Sequence, residues 1–483
     1  MKINATKYDV DKLIEEAIGP DVWKEHVTKN LMKFWDKPEI TGMKDGLFPT
    51  YITNSGEPLT DNIDEWPTEF KEAVRSEDAK GLIDTEHNYV RAHSRLTYAF
   101  GIAYHMTGNP HYLEICRKGA LALLEAVDGN YGMHVTKDIK SGDWDDDYKL
   151  RTSQDLAYGM TGLGMYYFLT HDKTFLYKIL QIKEFIFRVY MDDGRGYLTW
   201  KPRHMRDPEV QIVAQLDQLY AYMLMLTPSL PEPFKSEWKK DLKKIVDILI
   251  INFYSEEYGF FWGVDSDAHN MQLGTDHTDF GHSIKTLWVI QKVGQMLGDP
   301  YYIEFARPKI HKILENAYIK ENGTWARRFD SEGNLDTDKE WWILAELDQA
   351  CEILAMNDPS YYRYLNTTQR YWLDKMVDKE HGEIWHMVDG NTHMPVIRYP
   401  KAHNWKTSLH SFEHALFSYM TAANIKNEEF DLYYALPEWE KASQKTVAPY
   451  MFWGNVSDVS QGDRLKFMPD GNKTVKVTFN SLH

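Results

Sequence analysis

The chain has 483 residues, 43% hydrophobic and 26% charged, with a formal net charge of −17. That is the composition of a globular protein able to bury a large core, and it leaves no basic patch for a phosphate backbone, which excludes a nucleic-acid partner. No apolar run approaches the ~18 residues of a membrane span, so no membrane partner is expected. The opening MKINATKYDV lacks the apolar stretch of a signal peptide, and a cytoplasmic location is expected. Cys116 and Cys351 lie far apart, with no CxxC or Cys/His cluster, so no metal is expected. The 16 Trp and 30 Tyr have two readings, core packing or an aromatic-lined cleft.

Apolar residues recur at helical spacing in 20–35, 87–106, 110–127, 152–170, 173–190, 208–226, 236–252, 278–297, 300–318, 338–356, 360–377 and 406–424. These twelve helices fall into pairs. Within a pair the turn is short and carries Pro: Asn109-Pro110, Asp299-Pro300 and Asp358-Pro359. Asn or Asp caps the next helix there, and Pro suits its first position. After the second helix comes a Gly–aromatic element: Gly194-Arg195-Gly196-Tyr197, Tyr258-Gly259-Phe260-Phe261-Trp262, Gly323-Thr324-Trp325 and Gly382-Glu383-Ile384-Trp385. A longer polar loop then leads to the next pair. First helices begin near 87, 152, 208, 278, 338 and 406, an interval of about 55 to 70 residues. Short turns on one side and long, uneven loops on the other predict an all-α closed ring, an (α/α)6 barrel, with each pair's first helix inside. An open superhelix of helix pairs is the alternative. The tail Arg464–Asn480 reads strand, turn, strand. The chain therefore divides into a barrel over 1–425 and a C-terminal extension with a β-hairpin over 426–483.

Polar residues gather at the starts of the inner helices, where the long loops arrive. The first carries Arg91, His93, Arg95 and Tyr98, and the second Arg151, Gln154, Asp155 and Tyr158. The third has Gln211, Gln215, Asp217 and Gln218. The fourth opens Asp276-His277-Thr278-Asp279-Phe280-Gly281-His282 and continues to Lys285. The fifth has Lys339, Trp341, Trp342 and Glu346, and the sixth His403, Trp405, Lys406, His410, Glu413 and His414. All are expected to face one mouth of the ring. His282 and His410 sit beside aromatics and opposite charges, and histidine suits proton transfer near neutral pH. A helix N-terminus disfavours imidazolium and keeps the ring neutral. Arg91 and Arg95 read equally as ion-pair partners or as groups that orient substrate oxygens. Trp341 and Trp342 read as packing beside a solvated Lys339. Glu346 on an inner helix needs a partner, because an unpaired buried carboxylate is costly.

These stretches resemble the N-acylglucosamine 2-epimerase and cellobiose 2-epimerase family over roughly residues 40–425. The likeness rests on Arg91 to Tyr98 with Tyr104, on Gly281-His282-Ser283-Ile284 with Trp288, on Lys339-Glu340-Trp341-Trp342 with Glu346, and on Trp405-Lys406 with His410. It implies an (α/α)6 barrel and cofactor-free chemistry on a reducing sugar or oligosaccharide. Two histidines, matched here by His282 and His410, would face each other across the open-chain aldose. One removes the C2 proton, and the cis-enediolate is reprotonated on the other face, or at C1 in ketose-forming relatives. Arg91, Arg95, Tyr98, Asp155, Tyr158, Gln215, Lys285, Trp342, Glu346, Trp405 and Glu413 are the expected substrate-binding residues, in a monomer or homodimer.

Three departures qualify the resemblance. Lys285 stands where the family often has Glu, and Glu413 where it often has Arg, so a reversed Lys285–Glu413 salt bridge across the mouth is expected. Gln215 stands near a family His and cannot shuttle a proton at neutral pH. Two other functions stay open. A glycoside hydrolase or lyase on the same ring would need paired carboxylates, for which Asp155, Asp217, Asp279, Glu346 and Glu413 are candidates. A non-catalytic sugar-binding relative is the third.

Overall fold

A computed structural model describes residues 8–73, 83–194, 196–205, 210–264, 271–437, 447–468 and 471–482. Positions 208–209 of the expected third inner helix, Arg195, and residues 469–470 of the expected tail turn lie outside the described residues.

All twelve expected helices form. The inner six are Val90–Thr107, Ser153–Thr170, 212–226, Phe280–Leu297, Trp341–Ala355 and Leu409–Ile425. They are buried on nearly every face. The outer helices bury one stripe each, as along Lys173–Tyr190, where Phe175, Leu176, Ile179, Ile182, Phe185, Ile186 and Tyr190 point inward at helical spacing. Each inner helix packs on the next and the sixth packs on the first, so the ring is closed. The outer partner of the sixth inner helix is the segment 20–35, contributed from the other end of the chain.

The punctuation works as its chemistry predicts. Asn109, Asp299 and Asp358 each accept a backbone N–H two residues on, with Pro opening the helix behind them. Gly108 and Gly298 end inner helices in the left-handed conformation, at φ of 70° and 66°. The Gly–aromatic elements are second strands of minimal antiparallel hairpins, Met191–Asp192 with Tyr197–Leu198, Tyr254–Ser255 with Phe260–Phe261, and Tyr318–Ile319 with Thr324–Trp325.

Inner helices start one to four residues later than the periodicity suggests. Short strands hold the residues just ahead of them: His87–Tyr89 pairs with Thr136–Asp138, and Lys339–Glu340 with Met387–Val388. Lys339, His403, Trp405 and Lys406 therefore lie before their helices rather than in them. Lys339 is also buried rather than solvated.

The tail differs from the expected hairpin. It is a three-stranded antiparallel sheet of Phe430–Leu436, Gly454–Arg464 and Lys473–Leu482, with the last strand in the middle. The strand FDLYYAL lies outside the expected hairpin, and Arg464 ends a strand instead of starting one. The sheet lies at the C-terminal ends of the inner helices. Tyr104 donates its hydroxyl to the Tyr434 carbonyl at 2.7 Å, which gives Tyr104 a supporting role far from the mouth.

Ring closure depends on the 20–35 segment. Trp23 is fully buried and meets His414 of the sixth inner helix edge-on at 5.2 Å. Trp23→Ala is expected to cost about 3–5 kcal/mol, seen as a lower urea midpoint with an unchanged slope.

Candidate active site

The N-terminal ends of the inner helices surround a cavity of about 360 Å3. Both histidines singled out by the sequence line it. Asp279 caps the fourth inner helix, accepting the His282 backbone N–H and its ring Nδ1, both at 2.7 Å. A carboxylate on Nδ1 places the proton there and leaves Nε2 as the free base. His410 Nδ1 lies 3.2 Å from Glu346 Oε1 without forming a hydrogen bond to it, and 3.4 Å from the Tyr220 hydroxyl, which donates to Glu413 and accepts the Nδ1 proton. Its ring stacks on Tyr220 at 6.0 Å. Trp342 stands against both imidazoles, with ring centres 4.6 Å from His282 and 6.0 Å from His410.

The surroundings tune these groups. Burial, then the Lys285 and Arg95 cations, keep the His410 imidazolium well below the usual histidine range. Burial raises the Glu346 carboxyl to about 7, against the pull of Lys285 and a 2.8 Å hydrogen bond from Trp288 Nε1. Glu413 is raised too, by burial first and then by neighbouring Glu346. It accepts hydroxyls from Tyr220 at 2.5 Å, Tyr450 at 2.6 Å and Tyr98 at 3.2 Å, and Gln349 Nε2 at 3.2 Å.

Among the expected binding residues, Arg95, Tyr158, Lys285, Trp342 and Trp405 line the cavity. Arg95 stacks on the Tyr158 ring at 3.7 Å and donates to the Trp405 carbonyl at 2.6 Å, while its buried Nε has no partner. Arg91 and Asp155 form an ion pair, and the Arg91 guanidinium stacks under Trp405 at 3.7 Å. They shape the mouth from behind. Tyr98, Glu346 and Glu413 form the buried network behind His410. Gln215 is not at the cavity: its amide is spent on both backbone groups of Leu198. His93 and His414 are core residues, held by Gly119 and Phe48 and by Asp348. Arg151 is a buried hub for Asp128 and Asp145.

The expected Lys285–Glu413 bridge does not form. Lys285 pairs with Asp217 at 3.0 Å and donates to the Tyr158 hydroxyl at 3.3 Å. Tyr220 stands between the two charges, its ring 3.9 Å from the Lys285 ammonium and its hydroxyl on Glu413. Sequence reasoning missed His386, Tyr220 and Tyr450, which sit in a loop, mid-helix and in the tail, where periodicity gives no signal. Asp279 was legible as an N-cap three residues before His282.

Two clusters among the described residues bring three possible metal ligands together, Asp84, Glu86 and His87 near the surface, and Glu346, His410 and Glu413 inside. The inner one is a poor cation site. Both Glu413 oxygens already accept hydroxyls, one Glu346 oxygen accepts Trp288, and Lys285 supplies positive charge beside it. Two carboxyls with raised affinities fit a shared proton better.

No protein-family model matches the chain. It is 27% identical over 162 residues to a cellobiose 2-epimerase of Eubacterium cellulosolvens, a stretch covering 30% of this chain and 39% of that enzyme. The alignment thus spans well under half of that relative. The structure of a cellobiose 2-epimerase from Bacillus thermoamylovorans superposes with a TM-score of 0.67 at 17% identity, covering 83% of this chain and 98% of that one. A D-mannose isomerase structure gives 0.63 at 14% identity, over 82% and 97%. The fold is therefore the (α/α)6 barrel, and the chain is related to cellobiose 2-epimerases, as its motifs led us to expect.

Lys285 and Asp217 are both buried, so breaking the pair leaves a bare charge. Lys285→Met is expected to lower stability by about 3–5 kcal/mol. The double variant Lys285→Met/Asp217→Leu is expected to recover most of that loss in the same urea titration.

Proposed function

We propose that this protein is a cofactor-independent sugar isomerase that moves the C2 proton of an aldose, or of the reducing end of an oligosaccharide, between two histidines. The observation that carries this reading is the pair of imidazoles on one cavity, His282 hydrogen-bonded to Asp279 and His410 between the Tyr220 hydroxyl and the Glu346 carboxyl. One Nε2 takes the proton from C2 of the open-chain aldehyde. The C2–H electrons form the C1–C2 double bond, and the carbonyl oxygen takes the charge as an enediolate. The other histidine, carrying a proton on Nε2, returns one to the opposite face of C2 and gives the epimer. Return to C1 instead gives the ketose. Two bases are needed because a single base hands the proton back to the face it left. Arg95, with its unpartnered Nε, and Lys285 are the cations placed to stabilise the enediolate oxygen; one such donor is worth about a hundred- to a thousand-fold in kcat.

Relatives support the same reading, being cellobiose 2-epimerases by sequence and fold and a D-mannose isomerase by fold. The carboxylates argue against hydrolysis. That chemistry needs one free acid and one free base or nucleophile flanking the bond. Asp155 is committed to Arg91, Asp217 to Lys285, Asp279 to His282 and Glu413 to tyrosine hydroxyls, which leaves Glu346 as one candidate where two are needed. The site residues are all supplied by the chain, and sugar is the one ligand the reading requires. Among the described residues no helix is long and apolar enough to cross a membrane.

Incubation with glucose, mannose, cellobiose or N-acetylmannosamine in D2O should place deuterium at C2 of at least one of them. No exchange with any, alongside release of reducing ends from oligosaccharides, would refute the proposal in favour of hydrolysis. His282→Ala and His410→Ala should each lower kcat by about a hundred- to ten-thousand-fold with the fold intact by circular dichroism. Retained turnover in either removes that residue from the mechanism.

The pH dependence follows from Glu346. Ionised Glu346, 3.2 Å from His410 Nδ1, stabilises the imidazolium that forms when His410 Nε2 takes the C2 proton. Its carboxyl is raised, so it stays protonated up to about pH 7. Turnover should therefore fall as pH drops through about 7, rather than through the usual carboxylate range near 4. Glu346→Gln should abolish that acid limb together with most of the activity.

A further inference from the structure

Another histidine pair bounds the same cavity, and the proton transfer described above does not use it. His386 follows the strand-like bridge at Ile384, and His403 lies in the turn before the sixth inner helix. His386 Nδ1 is 2.9 Å from His403 Nε2. Two neutral imidazoles that share a hydrogen bond need one donor and one acceptor, and the surroundings decide which is which.

The backbone N–H groups of Trp405 and Lys406 point at His403 Nδ1 from 3.2 and 3.3 Å. Backbone amides only donate, so His403 Nδ1 accepts and its proton is on Nε2. The Asn404 side chain, 3.4 Å from the same nitrogen, meets it equally well through its NH2 group. His403 therefore donates to His386 Nδ1, and the His386 proton is forced onto Nε2. That nitrogen has no hydrogen-bond partner among the described residues, whose one bond to the ring is at Nδ1, and His386 lines the cavity. The ring cannot swing to find one. It is clamped between Tyr399, stacked at 4.6 Å, and Trp341 at 4.9 Å.

Both rings stay neutral. Burial takes His403 down to about 3 and His386 well below the usual histidine range. After burial, the His403 ring and the Lys406 and Arg327 cations oppose charge on His386, and Lys406, Arg91 and Arg95 oppose it on His403. Lys406 is itself paired with Glu383 at 3.4 Å, and among the described residues no carboxylate forms an ion pair with either histidine.

We infer that His386 is a substrate-binding residue: an uncharged N–H donor, fixed in one tautomer by His403, that takes one oxygen of the sugar. The inference rests on the sugar-isomerase reading for the nature of the ligand. A neutral donor of this kind binds a hydroxyl or ring oxygen without drawing the C2 proton, so it leaves the two-base chemistry to His282 and His410. His403 is a positioning residue that acts only through His386.

The test combines kinetics with nitrogen spectra of the full chain labelled with 15N-histidine. His386→Phe should lower kcat/KM about ten-fold, mainly through KM, without shifting the acid limb set by Glu346. His386→Gln, which keeps an N–H donor, should recover part of the loss. In long-range 1H–15N spectra the signal lost in His386→Phe should show the Nε2–H tautomer between pH 6 and 8, and should move when the sugar is added. His403→Phe should leave that signal as a mixture of tautomers. An Nδ1–H tautomer in the unaltered protein, a signal that sugar does not move, or unchanged kcat/KM in His386→Phe overturns the inference. If no aldose exchanges deuterium, the isomerase reading fails by itself. The spectra with cellobiose and mannose then decide the role of His386 alone, movement supporting it and its absence refuting it.

Discussion

The charges at the mouth of this ring are each held by a partner, and that constraint organises the rest. Helix backbones satisfy themselves, so the inner helices can be buried on all sides. Their charged side chains cannot be left bare, because an unpaired buried ion costs several kcal/mol. The pairs run around the mouth in order: Arg91 with Asp155, Lys285 with Asp217, His282 with Asp279, His410 with Glu346, and Lys406 with Glu383. Each joins neighbouring elements or fixes one side chain on its own helix. Among the described residues, the groups left uncommitted at the cavity include two imidazole Nε2 atoms, the Arg95 Nε, one Glu346 oxygen and the His386 Nε2.

The ring was legible because its information is periodic. Apolar spacing marks twelve helices, and Asn-Pro or Asp-Pro marks the turn inside a pair. Caps such as Asn109 and Asp299 act locally, so a single chain reveals them. The residues just ahead of the inner helices were misplaced by a few positions, since two-residue strands such as Lys339–Glu340 have no period to detect. The closing contact between the first outer segment and the last inner helix was implied only by counting, as six inner helices need six outer ones.

The site was legible to a different depth. His282, His410, Lys285, Trp342 and Trp405 were placed at the mouth because each lies in the first two turns of an inner helix or just before one. Gln215 satisfied the same rule and fails it in space. It faces outward, where the Leu198 strand offers a backbone donor and acceptor that match an amide. Which side of an inner helix faces the cavity depends on rotation about the helix axis, and a helix buried all round carries no polar stripe to report that rotation. His386, Tyr220 and Tyr450 were invisible for the related reason that loops, mid-helix positions and tails reach the site only through tertiary packing.

The exchange of sign at Lys285 and Glu413 shows how far pairwise reasoning carries. Read as a linear pattern, two swapped charges suggest one reversed bridge. In space each is neutralised separately, Lys285 by Asp217 and Glu413 by three tyrosine hydroxyls and an amide, with the Tyr220 ring between them. The consequence falls on Glu346. It feels the Lys285 cation, and it raises the neighbouring Glu413 carboxyl in turn, inside a site without water-like screening. Had the two swapped charges met each other, Glu346 would lose the Lys285 attraction that opposes its burial, and it would stay protonated to higher pH beside His410. Keeping Lys285 and Glu413 apart is what lets one buried carboxyl titrate near neutral pH beside the histidine that depends on it.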